Sequence, residues 1–341
     1  MVAAGQLLAG KYRVDRVLGE GGMGLLVAAT DLSRQERVAL KLIRPEALRV
    51  PELVERFRRE AATASRLTSA HVVRVRDVGA FEGGAPYLVM ELLDGEDLAA
   101  ILLRCGRLSV GHAVDVVLQA CHALAEAHAL GIVHRDVSPA NLFVARTPAG
   151  PVVKVLDFGV ATAGPLDKPV SPMTRTGTVL GCPLYASPEQ LQSSKHVDAR
   201  SDIWSLGAVL YELLAGRPPY VADSLGGLLG QMLLTEPEPV RASRHDVPEA
   251  VDAAILRCLT RDRNARFASV QELASVLAPF GTPPAHSSRP SRAAPPARTG
   301  TVVVGIVLAV LLIAALSAGW AMKRTGWRPG AHYQRTSAQP Q

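Results

Sequence analysis

Asp136 and Asn141 fall within the run His134-Arg135-Asp136-Val137-Ser138-Pro139-Ala140-Asn141, and Asp157-Phe158-Gly159 follows the apolar run VVKVL. Asn141 and Asp157 offer the hard oxygen atoms that magnesium takes, and Asp136 is a second acid, suited to polarising a hydroxyl. Upstream, Gly19-Glu20-Gly21-Gly22-Met23-Gly24 supplies residues without side chains, through which backbone amides can approach phosphate oxygens closely. Lys41 ends the run Val38-Ala39-Leu40-Lys41, and Glu60 stands on a later amphipathic stretch as the partner a buried lysine requires. Together these residues describe chemistry on phosphate, assisted by a hard cation and directed at a hydroxyl. A dinucleotide-binding fold uses similar glycine spacing, but it needs a helix directly after the third glycine. Here Leu26 and Val27 lead a strand instead.

The elements that must position these side chains follow from hydrophobic period. Residues 12–18, 25–31 and 37–43 alternate apolar and polar between Gly-containing or polar turns, which predicts antiparallel strands. Residues 52–68 place Leu53, Phe57, Ala61, Ala64 and Leu67 at helical spacing with charges between. Two further strands, over 72–79 and 85–91, complete a five-stranded lobe, and 109–130 and 201–215 read as long helices. The body at 12–279 is therefore a small β-rich lobe with one helix followed by a larger helical lobe, preceded by an extension at 1–11.

Beyond the body, residues 280–300 are rich in Pro, Ser, Ala and Arg without apolar periodicity, the composition of a linker. Residues 301–322 carry no charge over 22 positions, enough for a helix to cross a bilayer core. Residues 323–341 form a short basic tail, too short for a folded sensor domain. The opening residues lack the basic and apolar regions of a secretory signal.

Composition excludes other classes. Seven of the 37 Lys and Arg lie beyond residue 280 with no Asp or Glu among them, which leaves 30 basic residues against 31 acidic before that point. A nearly neutral body argues against nucleic acid as a partner, despite the net charge of +6. Cys105, Cys121, Cys182 and Cys258 contain no CxxC pair and lie far apart, which argues for a reducing compartment and against disulfide or zinc frameworks. The histidines form no metal-ligand set, since His122 and His128 are spaced poorly for one helix face.

In order along the chain, the glycine loop, VALK, helix glutamate, HRD with its asparagine, DFG and the APE-like Ser187-Pro188-Glu189 resemble the protein kinase superfamily. Asp202-Ile203-Trp204-Ser205-Leu206-Gly207 and Arg266 match motifs of its helical lobe. The wording GEGGMG and YASPEQ is similar to that of bacterial eukaryotic-like Ser/Thr kinases, many with a linker and a single membrane helix after the kinase domain. The resemblance implies an α+β bilobal kinase fold plus one C-terminal transmembrane helix. It implies ATP as substrate and magnesium as cofactor, with manganese able to substitute. Lys41, paired with Glu60, would hold the α- and β-phosphates, Asp157 and Asn141 would bind the metal, and Asp136 would accept or orient the hydroxyl proton. Leu18, Gly19, Glu20, Gly21, Gly22, Met23, Gly24, Leu26 and Ala39 would line the nucleotide site. Met90 would be the gatekeeper, and backbone groups from Glu91 to Leu93 would meet adenine. Arg266 is the implied partner of Glu189, and Arg135 would pair with a phosphate on Thr174 or Thr176, a group carrying about −1.5 to −2 charge.

Two positions depart from the family pattern: Ser138 replaces the lysine after HRD, and Cys182 replaces the threonine before the APE-like segment. The full catalytic set favours a co-adjusted site, although both losses weaken the Ser/Thr assignment. Because ATP and magnesium are cytoplasmic, the kinase domain is expected inside and the tail outside. Three arginines precede the apolar segment and four basic residues follow it, so charge bias does not set that orientation. Protein substrates, the lipid bilayer and a second copy, through the kinase domain or the membrane helix, are the implied partners. A catalytically silent scaffold and a kinase of small metabolites are the alternative functions. Glu189, Arg266 and the threonine-containing loop speak against the latter.

Overall fold

The computed structural model describes residues 2–20, 24–81, 83–158, 182–192 and 197–282. Its first sheet has six strands, β1 (Leu7–Leu8), β2 (Tyr12–Glu20), β3 (Gly24–Asp31), β4 (Glu36–Ile43), β5 (Val75–Ala80) and β6 (Pro86–Glu91), in the order β1-β2-β3-β4-β6-β5. All pairings are antiparallel. The sixth strand is the short β1, inside the expected extension. Its two residues are too few for an alternating pattern, yet Gly5 N donates to Val14 O at 2.8 Å and Leu8 is buried.

Alternation along β4 divides two apolar layers. Val38, Leu40 and Leu42 pack with Val14, Val27 and Tyr87 on one face. Ala39 and Ile43 pack with Leu88, Met90 and, from α2 (Pro51–Ala64), Phe57 and Ala61 on the other. Lys41 has the parity of the second face, which carries it toward α2. A short α1 (Pro45–Leu48) precedes α2, and proline begins each helix where its missing N–H costs nothing. The α2 pattern continues in sequence to Leu67, but the helix stops at Ala64. Ser65 turns its hydroxyl to Ala61 O at 2.7 Å, and Leu67 is buried in the large-lobe core instead.

The second sheet holds β7 (Gly95–Asp97), β8 (Leu142–Thr147) and β9 (Gly150–Val155). Gly95 is obligatory there, since its φ is +155° and a Cβ would stand 2.0 Å from Val144 O. The helices are α3 (Leu98–Cys105), α4 (Val110–Ala129), α5 (Pro188–Gln192), α6 (Ala199–Ala215), α7 (Leu225–Leu234), α8 (Glu249–Cys258) and α9 (Val270–Leu277). Side chains of Asp97, Ser109, Asp198, Ser224 and Ser269 cap the starts of α3, α4, α6, α7 and α9, and Gly216 ends α6 in the left-handed conformation. Every residue from Ser201 to Tyr211 is buried, so α6 is the pillar against which α4 and α8 pack.

Gly21 to Met23, Thr174, Thr176, the linker from residue 283, residues 301–322 and the tail lie outside the described residues, whereas Phe280, at the linker's expected start, ends a 3-10 turn and packs against the large-lobe core. Among the described residues no helix is long and apolar enough to cross a membrane.

Candidate active site

Lys41 Nζ reaches Glu60 Oε1 at 2.5 Å and Asp157 Oδ1 at 2.8 Å. Burial works against the Lys41 ammonium, but Asp157 and Glu60 outweigh it and raise its pKa. Burial pushes the Glu60 carboxyl up, with Lys41 pulling the other way. One ammonium thus stands between two carboxylates, which leaves this point one negative charge in excess when both acids are ionised.

Asn141 ends a 3-10 turn at Pro139–Asn141, and its side chain turns back to Asp136. Its Nδ2 donates to Asp136 O at 2.7 Å and to Asp136 Oδ2 at 2.9 Å. Leu156 N donates to Asn141 O at 2.9 Å, and His134 Nε2 lies 2.8 Å from Leu156 O, so the HRD loop and the segment entering Asp157 are bonded twice. His134 takes Asp136 N–H on Nδ1 at 3.2 Å. A neutral ring with its proton on Nε2 satisfies both contacts, and Phe158 packs edge-on at 4.7 Å between centroids. His134 is a packing and hydrogen-bonding residue.

Arg135 and Asp157 have positive φ values of 67° and 54°, conformations that cost about 1–3 kcal/mol each and persist only where the surroundings impose them. At Arg135 the surroundings do so. Asp202 from α6 accepts His134 N at 2.9 Å and Arg135 N at 2.8 Å, while Gln190 Nε2 donates to Arg135 O at 2.7 Å. His128 Nε2 adds a third contact to Asp202 at 2.8 Å. Gln190 and His128 were not singled out by sequence, because neither spacing nor residue type marks a side chain that serves another loop's backbone.

The small-lobe apolar cluster that holds Ala39 and Met90 has a partly accessible side, an apolar slot. Ala39 and Met90 are buried in its wall, and Leu18, Leu26, Leu92, Leu93 and Leu156 pack against them while staying partly accessible. Leu156, which the resemblance does not name, packs against the same cluster. Gly19 pairs with Leu26, Glu20 forms an outer ion pair with Arg44 at 2.7 Å, and a Cβ on Gly24 would meet Leu42 O at 2.5 Å. The side chain of Cys182 and the glycine-loop tip are outside the described residues; Ser138 is buried beside Asp136.

The profile described as Protein kinase domain matches residues 12–277. The chain belongs to the protein kinase family. The kinase is 38% identical over 275 residues to the serine/threonine-protein kinase PknB of Mycolicibacterium smegmatis, covering 80% of this chain and 43% of that protein. It is 40% identical over 276 residues to the serine/threonine-protein kinase pkn3 of Myxococcus xanthus, covering 80% of this chain and 50% of the other. The chain spans about half the length of the curated relatives it matches. Among solved structures, the kinase domain of PknI from Mycobacterium tuberculosis superposes with a TM-score of 0.63 at 28% identity, covering 82% of this chain and all of that one.

The kinase also holds together the segment beyond its DFG motif. Glu189 on α5 receives Ser201 Oγ at 2.7 Å and both terminal nitrogens of the buried Arg266. Tyr185 donates its hydroxyl to Glu212 Oε2 at 2.6 Å, and Ser205 Oγ donates to Tyr185 O at 2.8 Å. The 182–192 segment is thereby fastened to α6 from two sides.

Proposed function

We propose that this kinase transfers the γ-phosphate of ATP, with magnesium, to Ser and Thr hydroxyls on itself and on cytoplasmic proteins, from an anchored position at the membrane. The observation that carries the reading is the meeting of Lys41, Glu60 and Asp157 next to the bonded Asp136–Asn141 pair. The donor chemistry fits magnesium. Lys41 uses Oδ1 of Asp157 and Asp136 uses the amide nitrogen of Asn141, which leaves one carboxylate oxygen and one amide oxygen for the ion. Magnesium needs only one or two protein ligands beside phosphate and water, and among the described residues no cluster of three or more His, Cys, Asp or Glu suits a metal.

Bound there, magnesium would neutralise charge on the phosphate oxygens. Lys41 holds the α- and β-phosphates, and the apolar slot takes the purine with its edge against the backbone of Glu91 to Leu93. Asp136 receives or orients the hydroxyl proton, its carboxylate kept in place by Asn141. Phosphoryl transfer needs position and charge more than covalent assistance, so this set suffices. Arg135 reads phosphate on Thr174 or Thr176. The uncharged stretch 301–322 supports a single membrane crossing, with the kinase domain inside and the tail outside, and crowding in the membrane plane favours reaction between two copies.

The test uses the full chain and its Asp157→Ala and Lys41→Met variants in ATP and magnesium, with phosphorylated residues mapped by mass spectrometry. Phosphate on Thr174 or Thr176 in the unsubstituted chain alone, lost with a chelator, is the expected result. Nucleotide binding without incorporation into itself or generic protein substrates would make the protein a scaffold and implicate Ser138 and Cys182. Resistance of the full chain to alkaline extraction from membranes, lost when residues 301–341 are deleted, tests the anchor.

A further inference from the structure

The chain passes from the small lobe to the large lobe between β6 and β7, and Glu91 is the last residue before that passage. Its carboxylate is not turned loose into solvent. Oε1 accepts the backbone N–H of Arg74 at 2.8 Å and Lys154 Nζ at 2.6 Å, while Glu91 N donates to Arg74 O at 2.9 Å. Lys154 comes from the other lobe, on β9, and donates in addition to Val72 O at 3.3 Å. Side-chain exposure is only 13% for Lys154 and 24% for Glu91, so the pair is partly shielded from water.

The same strand is stitched to the 71–75 segment by backbone. Val155 N donates to His71 O at 2.8 Å, and Val73 N donates to Val155 O at 3.3 Å. Directly after β9 come Leu156, in the apolar slot, and Asp157. One ion pair therefore joins the residue that begins the hinge to the strand that delivers the metal-binding acid. A shielded pair with additional hydrogen bonds resists salt, and removing either member strands the other charge.

We propose that the Glu91–Lys154 pair is a positioning device for nucleotide: it fixes the hinge backbone and the end of β9 relative to each other, and so sets the affinity for ATP rather than the rate of transfer. This rests on the reading that the slot takes the purine of ATP. Lys154 touches neither substrate nor metal in this scheme, and acts through Glu91.

Calorimetric titration of the full chain with Mg·ADP tests it without requiring turnover. Lys154→Met and Glu91→Gln should each weaken the Kd by roughly fivefold to twentyfold, and the double variant should lose little beyond either single one. Lys154→Arg should recover most of the affinity. KM for ATP should rise in parallel for Lys154→Met, with kcat at saturating ATP held within about threefold. If Lys154→Met does not fold, the isosteric Glu91→Gln reads the same quantity. Unchanged Kd in folded variants, or losses that simply add in the double variant, would overturn the proposal. Tight Mg·ADP binding by an unsubstituted chain that transfers no phosphate would defeat the proposed function and leave this inference to the Kd series. No binding at all would defeat both.

Discussion

Arg266 Nη1 donates to Glu189 Oε1 at 2.7 Å and Nη2 donates to Oε2 at 3.0 Å, a parallel fork between residues 77 positions apart. Arg266 is fully buried and its guanidinium sits 4.9 Å from the Trp204 ring centroid. Burial alone would raise the Glu189 pKa; the fork with Arg266 and the Ser201 hydroxyl outweigh it and lower it from 4.5 to about 2. A carboxyl depressed on folding stabilises the fold above its unfolded pKa and loses that contribution as pH falls through the folded value. Glu189→Ala should therefore lower the unfolding free energy at pH 7 by about 3 kcal/mol. Part of this difference should shrink as pH falls from about 4.5 towards 2, as charge pairing is lost in the parent. Urea titrations across that range measure it.

Asp202 receives two backbone N–H groups and one imidazole, and it holds Arg135 in its left-handed conformation. Asp202→Ala frees that peptide to relax. Transfer to a peptide should fall about a hundredfold, since misplacement of a catalytic acid by an ångström is enough. The Kd for Mg·ADP should change by less than about threefold, because Asp202 does not line the slot. Faster amide hydrogen exchange at residues 134–136 is the structural readout.

Lys41 stands between two acids, so its removal changes more than one contact. Lys41→Met strands Glu60 and Asp157 beside each other, and kcat should fall by about 10² to 10³ or more. Glu60→Gln keeps the shape and removes one charge, and should lose less. Assays at saturating Mg·ATP separate this effect on the transfer step from weaker binding.

A Cβ at Gly207 on α6 would stand 2.4 Å from the Cβ of Cys258 on α8. Gly207→Ala should separate these helices and lower stability by about 1–3 kcal/mol, despite the better helix propensity of alanine. Replacing Cys258 with glycine in the same chain should recover part of the loss. Non-additivity in thermal or chemical denaturation is the mark of direct contact.

Much of this protein is legible in its sequence. Alternation over residues 37–43 put Lys41 on the face that also carries Ala39, and the spacing from Leu53 to Ala64 supplied a helix able to bring Glu60 against it. The order of the glycine loop, HRD, DFG and APE-like motifs carried the family, and resemblance to it named Arg266 as the partner of Glu189. Local rules reached less far where a residue serves two elements. Leu67 continues the α2 spacing but is buried in the other lobe's core, and β1 is two residues long, so neither could be placed by period alone.

What the sequence determined by itself was the inventory and its order: which residues can carry charge, bind a hard cation or pack, and which stretches repeat with the period of a strand or a helix. These properties are local, set by side-chain chemistry and backbone geometry over a few residues. Tertiary structure alone decided that Asp202 spends its two oxygens on the HRD backbone, that Gln190 closes the same peptide from the other side, and that Lys154 crosses to Glu91 at the hinge. Those contacts join residues 55 to 68 positions apart. They exist only because the packing of α6, α5 and β9 brings these polar groups within hydrogen-bond reach of one another and shields them from water.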